Sequence, residues 1–441
     1  MIIKPAQQIR GSVSLPGDKS ISHRAAMIAA LADGRSRVTN YSTSADCAAT
    51  LSCLRELGVA IEQNGTDLMV GGVGRDGLRR PPQALDCGNS GTTMRLLAGI
   101  LAGQDFSTML TGDESLRSRP MRRVIEPLER MGARISSTDG RAPLTIEGRP
   151  SLLAIDYELL IASAQVKSCL LLAGINAAGR TNVIENEVTR DHTERMLKWF
   201  GVPIETGSAR PESANARFAA LTGPARLPAR DLVIPGDISS AAFFIAAAAV
   251  LPGSFVEIRD VGINPTRVLF LKQLRALGFD VTVSDSRERN NEPVGSIQVQ
   301  GTEKPQPAGG FESAFMIQGS LVPQLIDELP LLAVVGSQVC GGIEIRGARE
   351  LRVKESDRIA TTVAGLRAMN AAVEEYEDGL RVAGPVKLHG AEIDPHGDHR
   401  IAMAFTVAGL MAEGETEIND AECVSVSFPE FFELLDSIVK R

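Results

Sequence analysis

Cationic residues stand at several expected helix starts in this chain, and such ends favour anions. Polar clusters open six apolar runs. They are Gly17-Asp-Lys19-Ser20-Ile-Ser-His-Arg24, Gly88-Asn-Ser-Gly91-Thr-Thr-Met-Arg95, Ser163-Ala164-Gln165-Val-Lys167-Ser168, Gly236-Asp237-Ile-Ser-Ser240, Asp327-Glu328 and Gly397-Asp398-His399-Arg400. Ser, Asp and Asn at these places read as ordinary N-caps. Lys19, Arg24, Lys354 and Arg400 do not. Free N–H groups already make a helix start positive, so an added cation costs stability unless an anion is held there. Leu116-Arg-Ser-Arg119-Pro-Met-Arg-Arg123 adds four arginines within seven residues. As a loop it could clamp a phosphate or carboxylate bidentately; as a solvated face it needs no further account. In Leu351-Arg-Val-Lys354-Glu355-Ser-Asp-Arg358, Lys354 and Arg358 are four apart. That spacing predicts a shared helix face needing an anion between them, with Glu355 beside it as an acid–base candidate.

The elements that would position these residues repeat. An Ala-rich helix ending near a glycine, then a short β-type stretch, occurs six times, with the glycines at Gly34, Gly103, Gly179, Gly253, Gly341 and Gly414. Each glycine is expected to be a left-handed helix cap. A second helix ending interleaves with the first, at Leu54–Gly58, Leu128–Gly132, Leu197–Gly201, Leu274–Gly278 and Leu366–Asn370. Alternating strands follow it. The unit of roughly 70–90 residues therefore holds two helices and several strands. The sixth copy is short, and residues 1–15, which read as strand, are expected to complete it. Six units exceed one core. The expected division is three and three: 18–235, and 1–17 plus 236–441, with crossings near 15–17 and 234–236, each marked by a Pro-Gly pair. With threefold arrangement in each domain, the helix starts would converge on one gap between the domains. The segment near Pro293, and that from Gln300 to Gly310, reads as loop.

Composition excludes other classes. The 441 residues carry a net charge of −8 with 4% aromatics, which argues against nucleic-acid binding and base stacking. The longest apolar run, Ala241 to Leu251, is too short to span a membrane and reads as a buried helix. No secretory signal opens the chain, so a cytoplasmic location is expected. Six scattered cysteines read as buried thiols. Asp394–Arg400 offers histidine and carboxylate, but Arg400 adjoins and no third histidine is near, so no metal is expected. No cofactor is expected either: Gly71-Gly-Val-Gly74 lacks the dinucleotide spacing.

These motifs resemble the 5-enolpyruvylshikimate-3-phosphate synthases (3-phosphoshikimate 1-carboxyvinyltransferases). The resemblance rests on Leu15–Arg24, Gly88–Arg95, Arg119-Pro-Met, Ser163-Ala-Gln165, Asp327 in Ile-Asp-Glu-Leu-Pro, Arg352–Arg358 and Asp398–Met403, in order over essentially the whole chain. It implies an α/β fold, a two-domain inside-out α/β barrel of six βαβαββ repeats, three per domain. It implies transfer of the enolpyruvyl group of phosphoenolpyruvate to the 5-hydroxyl of shikimate 3-phosphate, by a monomer. Lys19, Ser20, Arg24, Ser163, Ala164, Gln165, Arg190, Asp327 and Lys354 would hold shikimate 3-phosphate. Lys19, Gly91, Arg119, Gln165, Arg358 and Arg400 would hold phosphoenolpyruvate. Asp327, Glu355 and Lys19 would be catalytic.

The chain departs from many relatives at Ala164, where they carry a second serine, and at Val426, where they carry a lysine. Both departures, with Arg119-Pro-Met, look like the family's second class. Gly91 stands where glyphosate-resistant members tend to carry alanine, which implies inhibition by glyphosate. Two rivals stand beside this reading. One is an enolpyruvyl transferase acting on a UDP-amino sugar, whose relatives carry Lys-Asn at the first helix and a loop cysteine that Ser115–Arg119 lacks. The other is a non-catalytic anion- or RNA-end-binding protein of related fold.

Overall fold

The computed structural model describes the chain except residues 211, 214, 304 and 306–313. It divides into two compact units. The first is Pro16–Pro235 with Glu288–Glu292; the second is Met1–Leu15, Gly236–Arg287 and Pro293–Arg441. Each unit has its own apolar core. One core runs from Ile21 to Ile234, and the other takes Ile3 to Leu15 with Ile238 to Val439.

In the first unit the repeat is seen in full at Leu85–Glu147. A strand at Leu85–Asp86 leads to the helix Gly91–Ala102, the strand Ser107–Thr111, the helix Arg122–Arg130, and the hairpin strands Arg134–Thr138 and Arg141–Glu147. The first two strands pair in parallel and the hairpin continues the sheet antiparallel. The corresponding central helices are Lys19–Ala30 and Ala164–Gly174. In the second unit they are Ile238–Val250, Leu329–Gly336 and His399–Leu410. Ala25 to Ala30 and Leu96 to Ala102 are buried without a break. A helix apolar on all sides has no solvent face and must sit inside, with each unit's sheets around it.

Six sheets form among the described residues, and two of them exchange strands. Gln8–Ser14, which precedes the Lys19–Ala30 helix, lies in the second unit, parallel to Phe255–Gly262 and antiparallel to Val439–Lys440. The parallel partner of Asp33–Thr39 is instead Leu232–Val233. Residues 1–15 therefore serve two repeats: Ile2–Ile3 pairs with Thr416–Ile418 of the sixth, and Gln8–Ser14 lies between Phe255–Gly262 of the fourth and the short strand Val439–Lys440.

The interleaved helix endings are left-handed at Gly58, Gly132, Gly201, Gly278 and Asn370. The other glycine series corrects the expectation of six caps. Gly103 caps its helix at φ −92°, while Gly34 and Gly179 have positive φ but lie inside the following strands. Pro293 is also not in a loop. Glu292–Gln300 is a strand paired with Phe255–Gly262. The loop expected beyond it falls largely outside the described residues. Five cysteines are buried as expected and Cys340 is exposed.

Candidate active site

In the first unit, Asp18 caps the Lys19–Ala30 helix by accepting from the Ile21 N–H at 2.8 Å. Lys19, in the first turn, pairs with Asp46 at 2.8 Å, and Asp46 opens the Ala45–Glu56 helix. One turn further on, Arg24 is buried. It donates from Nε to Thr193 Oγ1 (2.7 Å), from one terminal nitrogen to Ser20 O (2.8 Å), and from the other to Ser168 Oγ (2.8 Å). A guanidinium has five N–H groups, and these three bonds fix its plane. Burial lowers the Arg24 pKa to about 10, with neighbouring Arg190 adding to the lowering. Arg190 in turn donates to Ser20 Oγ at 3.2 Å.

A second group forms around Gly91. Ser90 caps the Gly91–Ala102 helix and Ser163 caps Ala164–Gly174. Gln165 Nε2 donates to Thr92 Oγ1 at 2.9 Å, and Gln165 Oε1 accepts from Arg95 at 2.6 Å. Arg119 is buried and donates to Asn89 Oδ1 at 2.7 Å and to Ser115 Oγ at 3.1 Å. A Cβ at Gly91 would lie 2.8 Å from a terminal nitrogen of Arg95 and 3.6 Å from one of Arg119. Gly91, Arg95, Arg119 and Gln165 therefore share one small region. The Arg119 segment is not an open loop: it joins the helices Glu114–Ser118 and Arg122–Arg130.

In the second unit, Arg358 is the hub. It donates from Nε to Asp398 Oδ2 at 2.7 Å and from one terminal nitrogen to Glu355 Oε2 at 2.6 Å, and its other terminal nitrogen faces Asp327 Oδ1 at 3.5 Å. Arg400 lies 3.6 Å from Asp327 Oδ2. Asp398 caps the His399–Leu410 helix by accepting from the Arg400 N–H at 2.9 Å. Burial alone would raise the Asp398 pKa; the Arg358 guanidinium overrides it and holds the carboxyl below its usual value. Arg358 itself is held above its usual value, because the carboxylates Asp398, Glu355 and Asp327 outweigh the opposing cost of burial. Lys354 is lowered, chiefly by burial; Asp327 pulls the other way and Arg358 adds to the lowering.

The helix expected to carry Lys354 and Arg358 on one face is absent. A 3-10 turn covers Arg349–Val353, and a new helix starts at Arg358, capped by Asp357. The anions beside Arg358 are the protein's own Asp398, Glu355 and Asp327. Arg95 and Asp46 were missed as site residues. Their signals were present: Arg95 is another cation in the first turns of a helix, and Asp46 opens one. No group of three or more metal-binding side chains occurs among the described residues.

Residues 3–435 match the family model for EPSP synthase (3-phosphoshikimate 1-carboxyvinyltransferase). The chain belongs to the EPSP synthase family. A 3-phosphoshikimate 1-carboxyvinyltransferase of Koribacter versatilis is 52% identical over 100% of this chain and 99% of its own length, and one of Salinibacter ruber 48% identical over 99% and 98%. Among solved structures, an Acinetobacter baumannii EPSP synthase superposes with a TM-score of 0.85 at 41% identity, covering 99% of this chain and 97% of its own. The enolpyruvyl transferase NikO of Streptomyces tendae, at 18% identity and TM-score 0.77, shares the fold. The two-domain α/β barrel architecture is therefore that of the EPSP synthases, and so is the reaction class, carboxyvinyl transfer.

Proposed function

We propose that the protein transfers the enolpyruvyl group of phosphoenolpyruvate to the 5-hydroxyl of shikimate 3-phosphate, releasing phosphate in aromatic biosynthesis, and that the residue groups above divide this work. Ser20, Arg24, Ser163, Ala164, Gln165, Arg190 and Lys354 hold shikimate 3-phosphate. Gly91, Arg119, Gln165, Arg358 and Arg400 hold phosphoenolpyruvate, and Lys19 touches both. Asp327 takes the 5-hydroxyl proton as that oxygen bonds to C2 of phosphoenolpyruvate, and Glu355 delivers a proton to the methylene carbon. The tetrahedral intermediate then returns a methyl proton and expels phosphate, which restores the vinyl double bond. Substrates this anionic need cations already fixed in place, so that little reorganisation accompanies the developing charge.

The observation that carries the reading is the carboxylate–guanidinium set of the second unit. Asp327 meets Arg358 and Arg400 within 4 Å, and Glu355 meets Arg358 at 2.6 Å. Two candidate proton carriers thus sit beside two candidate anion binders. We read the two compact units as the two domains, and the protein as a monomeric cytoplasmic enzyme without metal or cofactor. No helix among the described residues is long and apolar enough to cross a membrane. A coupled phosphate-release assay tests the reading. Phosphate should appear only when both substrates are present, and Asp327→Asn should abolish release while far-UV circular dichroism stays unchanged. No release from wild-type protein, or full turnover by Asp327→Asn, would refute it.

A further inference from the structure

A histidine outside this machinery is wired to it. His23 lies in the central helix one turn after Lys19 and is wholly buried. Its Nδ1 is 2.6 Å from Thr50 Oγ1, and Thr50 Oγ1 is 2.6 Å from Thr93 Oγ1. Thr93 Oγ1 donates to Ser90 Oγ at 2.8 Å, with the Asp46 carbonyl at 3.4 Å as its other acceptor. Ser90 caps the helix that begins at Gly91, through the Thr93 N–H at 3.1 Å. One buried chain therefore joins the starts of the three helices that carry Lys19, Asp46 and Gly91.

The proton count gives this chain a direction. A hydroxyl has one proton to give. Thr93 spends its proton on Ser90 or on the Asp46 carbonyl, so it must accept from Thr50. Thr50 has then spent its own, so it must accept from His23. Nδ1 therefore carries the hydrogen. His23 Nε2, buried and without a hydrogen-bond partner among the described residues, is left as a lone pair, which is consistent with the ring being neutral. Burial, reinforced by Lys19 and Arg24, lowers the pKa and favours that same form.

We infer that His23 is a positioning residue for phosphoenolpyruvate: by donating from Nδ1 it orients the Thr50–Thr93–Ser90 chain and so sets the Gly91 helix start against Lys19. The inference rests on the substrate assignment proposed above. It singles out one substrate because the chain ends on Ser90 and Gly91, whereas Ser20, Arg24 and Ser168 are linked by a separate network.

Three variants and one spectrum test it. His23→Phe keeps a ring and removes the donor; it should raise the KM for phosphoenolpyruvate about tenfold, the effect of one broken buried hydrogen bond, with the KM for shikimate 3-phosphate within about twofold. Asn offers an N–H where Nδ1 stood, so His23→Asn should bring the phosphoenolpyruvate KM back to within about threefold of wild type. Thr50→Val is near-isosteric and breaks the chain at its next link; it should repeat the shift and carries the test if His23→Phe does not fold. Nitrogen-15 histidine NMR of the wild-type protein, with the His23 signal assigned from His23→Asn, should show an Nδ1–H neutral ring. Equal rises in both KM values, no rise, no rescue by asparagine, or an Nε2–H ring would each overturn the inference. Wild-type turnover in the same assay checks the substrate assignment separately, and the NMR result does not depend on activity.

Discussion

Replacing Asp398 by asparagine removes one charge from a pair that has almost no water around it. Arg358 is 1% exposed and the Asp398 side chain 0%. Removing one partner from a buried pair costs about 3–5 kcal/mol, because the other charge is left without compensation. Two features place this case at the lower edge. Asparagine still offers an oxygen to the Arg400 N–H, so the helix cap survives. Glu355 and Asp327 also remain beside the guanidinium. The expected loss is about 3 kcal/mol. With a urea slope of about 2–3 kcal/mol per molar, the midpoint of the second unit falls by roughly 1 M.

The single tryptophan, Trp199, lies in the first unit. Circular dichroism lost without a change in its fluorescence therefore reports the second. The sign with pH follows from the lowered Asp398 pKa. The stabilisation is complete above the unfolded carboxyl value of about 3.9 and is lost as pH falls through the lower folded value, a loss that the variant should not show. A guanidinium freed from its anchor should also raise the KM for phosphoenolpyruvate. A midpoint shift below about 0.3 M with an unchanged KM would refute the reasoning.

Three other outcomes are expected. Gly91→Ala places a Cβ 2.8 Å from Arg95, so that guanidinium must move from Gln165; the KM for phosphoenolpyruvate should rise severalfold in steady-state assays while thermal stability changes by less than about 1 kcal/mol. Because folded His23 binds its proton less readily than the unfolded chain does, stability should fall as pH drops below about 6.5, by up to about 1.4 kcal/mol per pH unit; His23→Asn should remove that component of the denaturation profile. Glyphosate should inhibit the wild-type enzyme, and undiminished phosphate release in its excess would contradict the role given to Gly91.

The repeat was legible because its marks are local. Caps such as Asp18, Ser90 and Ser163, and left-handed residues such as Gly58 and Asn370, depend on neighbours a few residues away. What was missed depends on distant partners. The helix expected through Lys354 gives way where Arg352 is drawn to Glu375 and Arg358 to Asp398, and no local spacing shows either partner. The strand at Glu292–Gln300 did have a signal. Asn290 and Asn291 both have positive φ, the turn that joins two hairpin strands, but Pro293 suggested a loop. In the strand exchange, the Pro-Gly pairs at Pro16-Gly17 and Pro235-Gly236 mark the two crossings, but nothing local shows that Gln8–Ser14 joins the sheet of the fourth repeat rather than that of the sixth.

That exchange also orders assembly on the ribosome. Residues 16–235 contain the three sheets of their own unit and can begin to fold as they emerge, as domains generally do. The opening fifteen residues cannot. Their partners at Phe255–Gly262, Thr416–Ile418 and Val439–Lys440 are translated only after that unit. Strands made before residues 16–235 are thus seated among strands made after them, and an intervening body already taking shape spares that closure part of the entropy a wholly slack loop would lose.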